Sequence, residues 1–459
     1  MNLHRLLPVI ATMAFTSAFA GPVPGSTLSV IQGKASNENV KKITLSRVVE
    51  GRKEEIATAV VNDQQAFAFA MPAPKEGFYY LSTPGFKGRD ARIYLKGGEQ
   101  LQLTLNGGDY TLQSGTPENK ALHQWDQQVK ELMNPAKSID SSTYLSYFPK
   151  LEAFVTKMPG FKKMVNTPNK KFNELLKFEM EVDVEQAAML FLLTPRTKHP
   201  KQEDYTPYYK QIVKDNKYND ARLLQSGDGA DVIGLYASYY MITHQPKERP
   251  KPEERLANVS ALFGNDSIKA VAITSNLSSY KTFEGLTEAI APVQQYLVTD
   301  VQKARYLAYE KSLRHFAAGE AAINFSGEDI NGKKVSLTDL KGKVVVVDVW
   351  ATWCGPCKAE MPHLSKLEEE MEGKNVVFLG CSVDEAKDKQ KWIDFVKQQE
   401  MKGIQIFVNG WSDITKNYDI KGIPRFMVFD QKGNIVNIDA PRPSTPELKA
   451  LIEKTLTKG

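Results

Sequence analysis

At 459 residues the chain is too long for a single hydrophobic core, and its 42 % apolar and 25 % charged residues suit a folded, water-soluble protein of two or three domains. The formal net charge of +5 is small for this length. No dense Lys/Arg patch alternates with aromatics, which argues against a nucleic acid as partner. Three cysteines are too few for a disulfide framework to hold the fold together.

Residues 1–20 read as a secretory signal peptide, with Arg5 in a short basic region, an apolar stretch from Leu6 to Phe19 and a small-residue end at Ala18-Phe19-Ala20. That stretch is short for a membrane anchor, and no later run is long enough to cross a bilayer. The mature chain, starting at Gly21, is therefore expected outside the cytoplasm, in the periplasm, with no stable membrane insertion after cleavage.

Residues 21–115 are expected to form a β-rich domain, an antiparallel sandwich or open barrel. Alternation marks Thr27–Ile31, Ala66–Ala70 and Gln100–Leu105, and Gly97-Gly98 and Gly107-Gly108 interrupt the pattern. Residues 116–317 read as an α-helical region. Leu122, Trp125, Val129 and Leu132 recur at helical spacing, as do Phe172, Leu175, Leu176 and Met180, and more loosely Leu297, Val301 and Leu307. Pro246, Pro250 and Pro252 mark a loop. The tyrosines at 205, 208, 209, 236, 239 and 240 are expected to pack rather than to line a groove. The β-rich segment carries no catalytic signature.

Residues 318–459 alternate strands and helices, the pattern of a three-layer α/β domain. Strands are expected at Lys343–Trp350, Asn375–Val383 and Gln405–Val408, and helices at Cys354–Met371 and Ala386–Gln399. Arg425–Asp430 and Asn434–Ile438 should pair as a hairpin, and a last helix should start near Pro446. The run Val344–Val347 lacks alternation, as a central strand covered on both faces would.

Trp353-Cys354-Gly355-Pro356-Cys357 joins the first of these strands to the first helix. A strand that turns into a helix places Cys354 at a helix N-terminus, where unpaired amides and the helix dipole favour a thiolate. A Cys so placed can ionise near neutrality rather than at its ordinary value of about 8.5, a preference of about 2 kcal/mol for the anion. The thiolate is the form that attacks disulfides. A zinc site would need a second ligand pair, which the lone Cys381 does not supply. His363 has no evident partner ligand, and Lys358 stands where a haem-attachment motif needs His. No metal and no cofactor are expected. Cys381, within Phe378–Val383, reads as a buried packing residue.

Several motifs occur in order: Gly319–Phe325, Asn331–Leu337, Lys341–Lys343 and Trp350–Pro362. With them the final third resembles the TlpA/ResA-like thioredoxin family of extracytoplasmic bacterial thiol–disulfide oxidoreductases. One departure is Ala321-Ala322, where that family usually has Ala-Pro. The N-terminal β region resembles a domain often found ahead of such modules, which implies no activity.

The resemblance implies a thioredoxin fold with Cys354 as the exposed nucleophile and Cys357 as the buried resolving thiol, the two forming a redox-active disulfide. Asp348, six residues before Cys354, stands where thioredoxins carry a buried Asp, and burial should raise its proton affinity until it can act as a base. Glu360 lies one helical turn past Cys357, where the family has an acid linked to the active site. It could instead simply complement the helix dipole. Either acid can carry the proton on this reading. Ile423-Pro424 stands where the family has a cis-proline, whose preceding residue offers backbone hydrogen bonds to the substrate chain. Without the resemblance, Pro424 would read as a strand-start proline. Trp353 is expected to shape the substrate surface, and Trp350 to lie in the core.

The leading expectation is an exported thiol–disulfide oxidoreductase acting as a reductase on cysteines of extracytoplasmic proteins, with an upstream membrane thiol electron donor by analogy. A rival is a non-catalytic partner-binding protein whose thioredoxin-like domain is a redox switch. A second rival, a thiol peroxidase, wants a Thr one turn before the reactive Cys, and Thr352 is misplaced for that.

Overall fold

The computed structural model describes residues 27–85, 90–106, 109–139, 142–196, 198–244 and 250–457. The signal segment 1–20, the Gly107-Gly108 break and Pro246 lie outside the described residues. The chain forms two compact units. One runs up to Pro250 and includes Ala257–Ser275; the other comprises Lys251–Leu256 and the chain from Asn276 onward.

The first unit begins with β1 (Leu28–Ala35), β2 (Lys42–Val49), β3 (Arg52–Val60), β4 (Ala66–Pro72), β5 (Gly77–Ser82), β6 (Ala91–Leu95), β7 (Gln100–Leu105) and β8 (Tyr110–Ser114). These make two four-stranded sheets, in the orders β4-β1-β7-β8 and β3-β2-β5-β6. One apolar cluster draws Ile31, Leu101 and Leu103 from the first sheet and Ile43, Leu45, Leu81 and Ile93 from the second. The expected antiparallel arrangement needs correction at one place: β1 and β7 pair in parallel. Alternation reports which face a residue occupies and carries no information about strand direction.

The helices that follow in this unit are α1 (Pro117–Lys137), α2 (Tyr144–Met164), α3 (Lys170–Leu193), α4 (Pro207–Ile212), α5 (Gly229–His244), α6 (Arg255–Ala261) and α7 (Asp266–Asn276), the last two reaching the unit boundary. The stripes read from sequence are buried on α1 and α3. Thr116 caps α1 and Asn169 caps α3 through their side chains. Tyr209, Tyr236 and Tyr239 are fully buried, with the Tyr209 hydroxyl donating to Ala188 O and the Tyr239 hydroxyl to Tyr209 O. Arg92 on β6 is buried with three carboxylates. It donates to Asp126 (2.6 Å) on α1 and Asp183 (2.9 Å) on α3, and lies 3.5 Å from Glu179 on α3. The Trp125 indole N–H also donates to Asp183.

The second unit carries α8 (Phe283–Ile290) and α9 (Asp300–Arg314). Val301 lies on α9, whereas Leu307 is exposed and Leu297 ends a preceding single turn, so that loose pattern is not one apolar stripe. Then come β9 (Ser326–Asp329), β10 (Lys334–Ser336), β11 (Val344–Trp350), α10 (Gly355–Glu370), β12 (Val376–Ser382), α11 (Lys389–Gln398), β13 (Ile404–Phe407), α12 (Asp413–Asn417), β14 (Arg425–Phe429), β15 (Ile435–Asn437) and α13 (Pro446–Leu456). The sheet order is β10-β9-β13-β12-β11-β14-β15. β11, β12 and β13 are parallel, and β14 is antiparallel to β11. Every residue of β11 is buried. Val344 and Val346 pack with Leu364 and Leu367 of α10 and Leu448 of α13, while Val345 and Val347 pack with Trp392 and Val396 of α11. Two covered faces explain the unbroken valine run.

Candidate active site

The parallel strands β11 and β12 end at the same sheet edge, and their following loops carry the polar chemistry. After β11 the chain turns through Ala351-Thr352-Trp353 and starts α10, with Cys354 as its N-cap and Pro356 in the first turn. Proline suits that place because its missing N–H is one the helix could not use. Cys354 and Cys357 form a disulfide with their Cα atoms 5.3 Å apart. Sγ of Cys354 accepts the Cys357 backbone N–H at 3.1 Å, which is the helix-end amide that would steady a thiolate.

The exposed sulfur expected at position 354 is not seen in this bridged state. Cys354 retains 4 % of its surface and Cys357 2 %. The short ring folds the outer sulfur back over its own helix terminus. The open surface belongs to Trp353, 55 % exposed, whereas Trp350 is fully buried against Phe395.

The Ile423–Pro424 peptide bond is cis. Arg425 pairs with Val349, so the residue after Pro424 lies opposite the end of β11, and Pro424 reaches the edge that carries the dithiol.

Asp348 is buried on β11. Burial, reinforced by the negative charges of Glu368 and Glu360, pushes its carboxyl up to about 8. Its Oδ1 finds no hydrogen-bond partner among the described residues. Glu360 is also buried, but both its oxygens are engaged: Ser444 donates its N–H at 3.0 Å and its hydroxyl at 3.1 Å, and Arg442 lies 3.6 Å away. Glu360 thus ties α10 to the chain entering α13. Cys381 is buried on β12, and desolvation by burial pushes its thiol well up.

Asp384 escaped the sequence reading. It is fully enclosed just after β12 and accepts the Thr352 N–H (2.9 Å), the Thr352 hydroxyl (2.7 Å) and the Ser382 hydroxyl (2.7 Å). Its backbone carbonyl also accepts the N–H of Gly410, beside the exposed Trp411. Asp384 therefore anchors the turn that presents Cys354. It also engages the Thr352 hydroxyl, two residues before Cys354.

Residues 318–438 match the family model described as the AhpC/TSA family. The thiol-disulfide oxidoreductase ResA of Bacillus cereus is 30 % identical over 149 residues, spanning 32 % of this chain and 84 % of the relative. The thioredoxin-like protein YneN of Bacillus subtilis is 29 % identical over 148 residues, spanning 32 % of this chain and 86 % of the relative. The solved thioredoxin domain of a thiol-disulfide oxidoreductase from Bacteroides vulgatus is similar at 30 % identity and a TM-score of 0.28, covering 30 % of this chain and 98 % of that one.

A CxxC disulfide at the start of α10 and the likeness to the ResA sequence define an enzyme of the thioredoxin class, a thiol–disulfide oxidoreductase. Within that class the chain belongs to the ResA-like family, through its C-terminal third.

Proposed function

We propose that this enzyme is exported to the periplasm and there reduces disulfides of extracytoplasmic proteins through the Cys354-Gly355-Pro356-Cys357 dithiol. The observation that carries this reading is the Cys354–Cys357 bridge at the N-terminus of α10, with the Cys357 amide directed at the outer sulfur. The N-terminal residues 1–20 have the pattern of a secretory signal. Among the described residues no helix is long and apolar enough to cross a membrane.

In the reducing direction the Cys354 thiolate attacks one sulfur of the substrate disulfide. A mixed disulfide forms, and the other substrate sulfur leaves as a thiolate. Asp348, a buried acid with an affinity near that of a thiol, takes the Cys357 proton. The Cys357 thiolate then attacks Sγ of Cys354, closing the intramolecular bridge and releasing the second substrate thiolate. Two electrons have passed to the substrate. A membrane thiol donor returns them to the bridge. Trp353 and the Ile423-Pro424 backbone hold the substrate chain, and Glu360, occupied by Ser444, keeps α10 in place rather than carrying the proton.

Dithiol-dependent reduction of insulin, followed by turbidity, tests this reading. Cys354→Ser should fall to background, and Cys357→Ser should stall as a trapped mixed disulfide. Wild-type activity no greater than that of the double serine variant would reject it.

A further inference from the structure

Asp348, Gly380 and Gln405 stand in register across β11, β12 and β13. Residues in register share a face of the sheet. Gly380 has no side chain, and the carboxamide of Gln405 occupies the space it leaves: a Cβ at Gly380 would fall on Oε1 and lie 2.8 Å from Cδ. Nε2 of Gln405 donates to Lys402 O at 2.8 Å, which settles the orientation of the amide, since the reverse would set two carbonyl oxygens against each other. Oε1 therefore lies over Gly380, whose other neighbour in the row is Asp348. Both Gln405 Oε1 and Asp348 Oδ1 are buried, and neither finds a hydrogen-bond partner among the described residues.

Two acceptors cannot bond to each other, and buried ones left unpaired are destabilising. A single proton resolves both. We infer that neutral Asp348 donates its proton to Oε1 of Gln405 across the gap at Gly380, so that Gln405 is the positioning residue that holds the proton of this buried acid. The surroundings act in the same sense. Glu360 and Glu368 face Asp348 from α10 and oppose its ionisation. Lys402 offsets charge at Glu368, and the Cys381 thiol feels the charge of Asp348. A proton leaving Cys357 goes to Asp348 in its ionised fraction, where the bond to Oε1 of Gln405 then closes on it. It would return by the same bond when the bridge is reduced.

The pairing concerns a residue whose part in turnover rests on the proposed function, so the test separates the two. Carbon-13 NMR follows the Asp348 carboxyl and the Gln405 carboxamide carbon of the full chain across pH, with Asp348→Asn assigning the first signal. In the wild type the Gln405 carbon should titrate with the midpoint of Asp348, near 8. In Gln405→Leu, and in Gly380→Ala whose methyl would displace the carboxamide, the Asp348 midpoint should fall by roughly one pH unit, the size of one hydrogen bond. The pH profile of insulin reduction should move with it. A Gln405 carbon that ignores the Asp348 titration overturns the pairing without recourse to any variant, as does an unmoved midpoint in a folded variant. A wild type inactive on insulin would reject the proposed function instead.

Discussion

Thr352 and Asp384 show how a single side chain can place a reactive sulfur it never touches. The carboxylate takes both donors of Thr352, two residues before Cys354. Removing it leaves a buried N–H and two buried hydroxyls, those of Thr352 and Ser382, without their acceptor, and each bond to a charged partner contributes about 1.5–3 kcal/mol. Asp384→Ala should lose roughly 2–4 kcal/mol in chemical denaturation and at least tenfold in kcat/KM for insulin reduction. Thr352→Val, which keeps the N–H bond, should lose less of both. The cysteines were legible because their chemistry is local: two sulfurs, a turn and a helix start within five residues. Asp384 was not, because its partner is 32 positions away and an Asp after a strand reads as a turn residue. Gln405 is silent for the same reason, since its meaning depends on a register spanning three strands.

Among the elements, β11, α10, β12 and the β14–β15 hairpin were legible from their apolar runs and turn residues, to within a residue or two. The β9–β10 edge and α12 were not, being too short to show a period. In the N-terminal segment the clearly alternating β1, β4 and β7 stood out. β5 and β6 did not, because Phe78–Leu81 and Ala91–Leu95 are buried throughout and show no alternation. The missed strand β6 also carries Arg92, which joins α1 to α3. Arg92→Met should cost about 3–5 kcal/mol of stability, because Asp126 and Asp183 would remain buried without their cation. Equilibrium urea unfolding measures this. A loss under 1 kcal/mol would mean that the three acids reorganise freely.

At the level of the whole molecule, pH reaches both units through buried acids. Burial raises Glu179 in the first unit to about 8, Asp348 in the second to about 8, and Glu368 to about 7. Each holds its proton more tightly folded than unfolded. Their stabilising share is complete below the ordinary carboxylate range, declines as the unfolded chain ionises, and is lost once pH passes the folded value. Tm should therefore fall between about pH 5 and 9. Asp348→Asn keeps a donor facing Gln405 and removes the ionisation, so it should flatten the decline and stabilise the protein at pH 7 by up to roughly 4 kcal/mol. Differential scanning calorimetry across this range checks it; a Tm that rises with pH would count against buried neutral acids. Sequence alone separated a β-rich, a helical and an α/β stretch, but it could not see that compact units form by contact rather than by composition. The chain past Asn276, α8 and α9 included, groups with the thioredoxin-like fold.

Cys381 lies within β12 between β11 and β13, its sulfur shut away and reluctant to ionise. Three sulfurs allow three ways of pairing, and an odd cysteine ordinarily invites scrambling or cross-linking between copies. Once this sheet has formed, the third sulfur is out of play and only one bridge remains open. The chain can pass repeatedly between its oxidised and reduced forms without a shuffled partner diverting it.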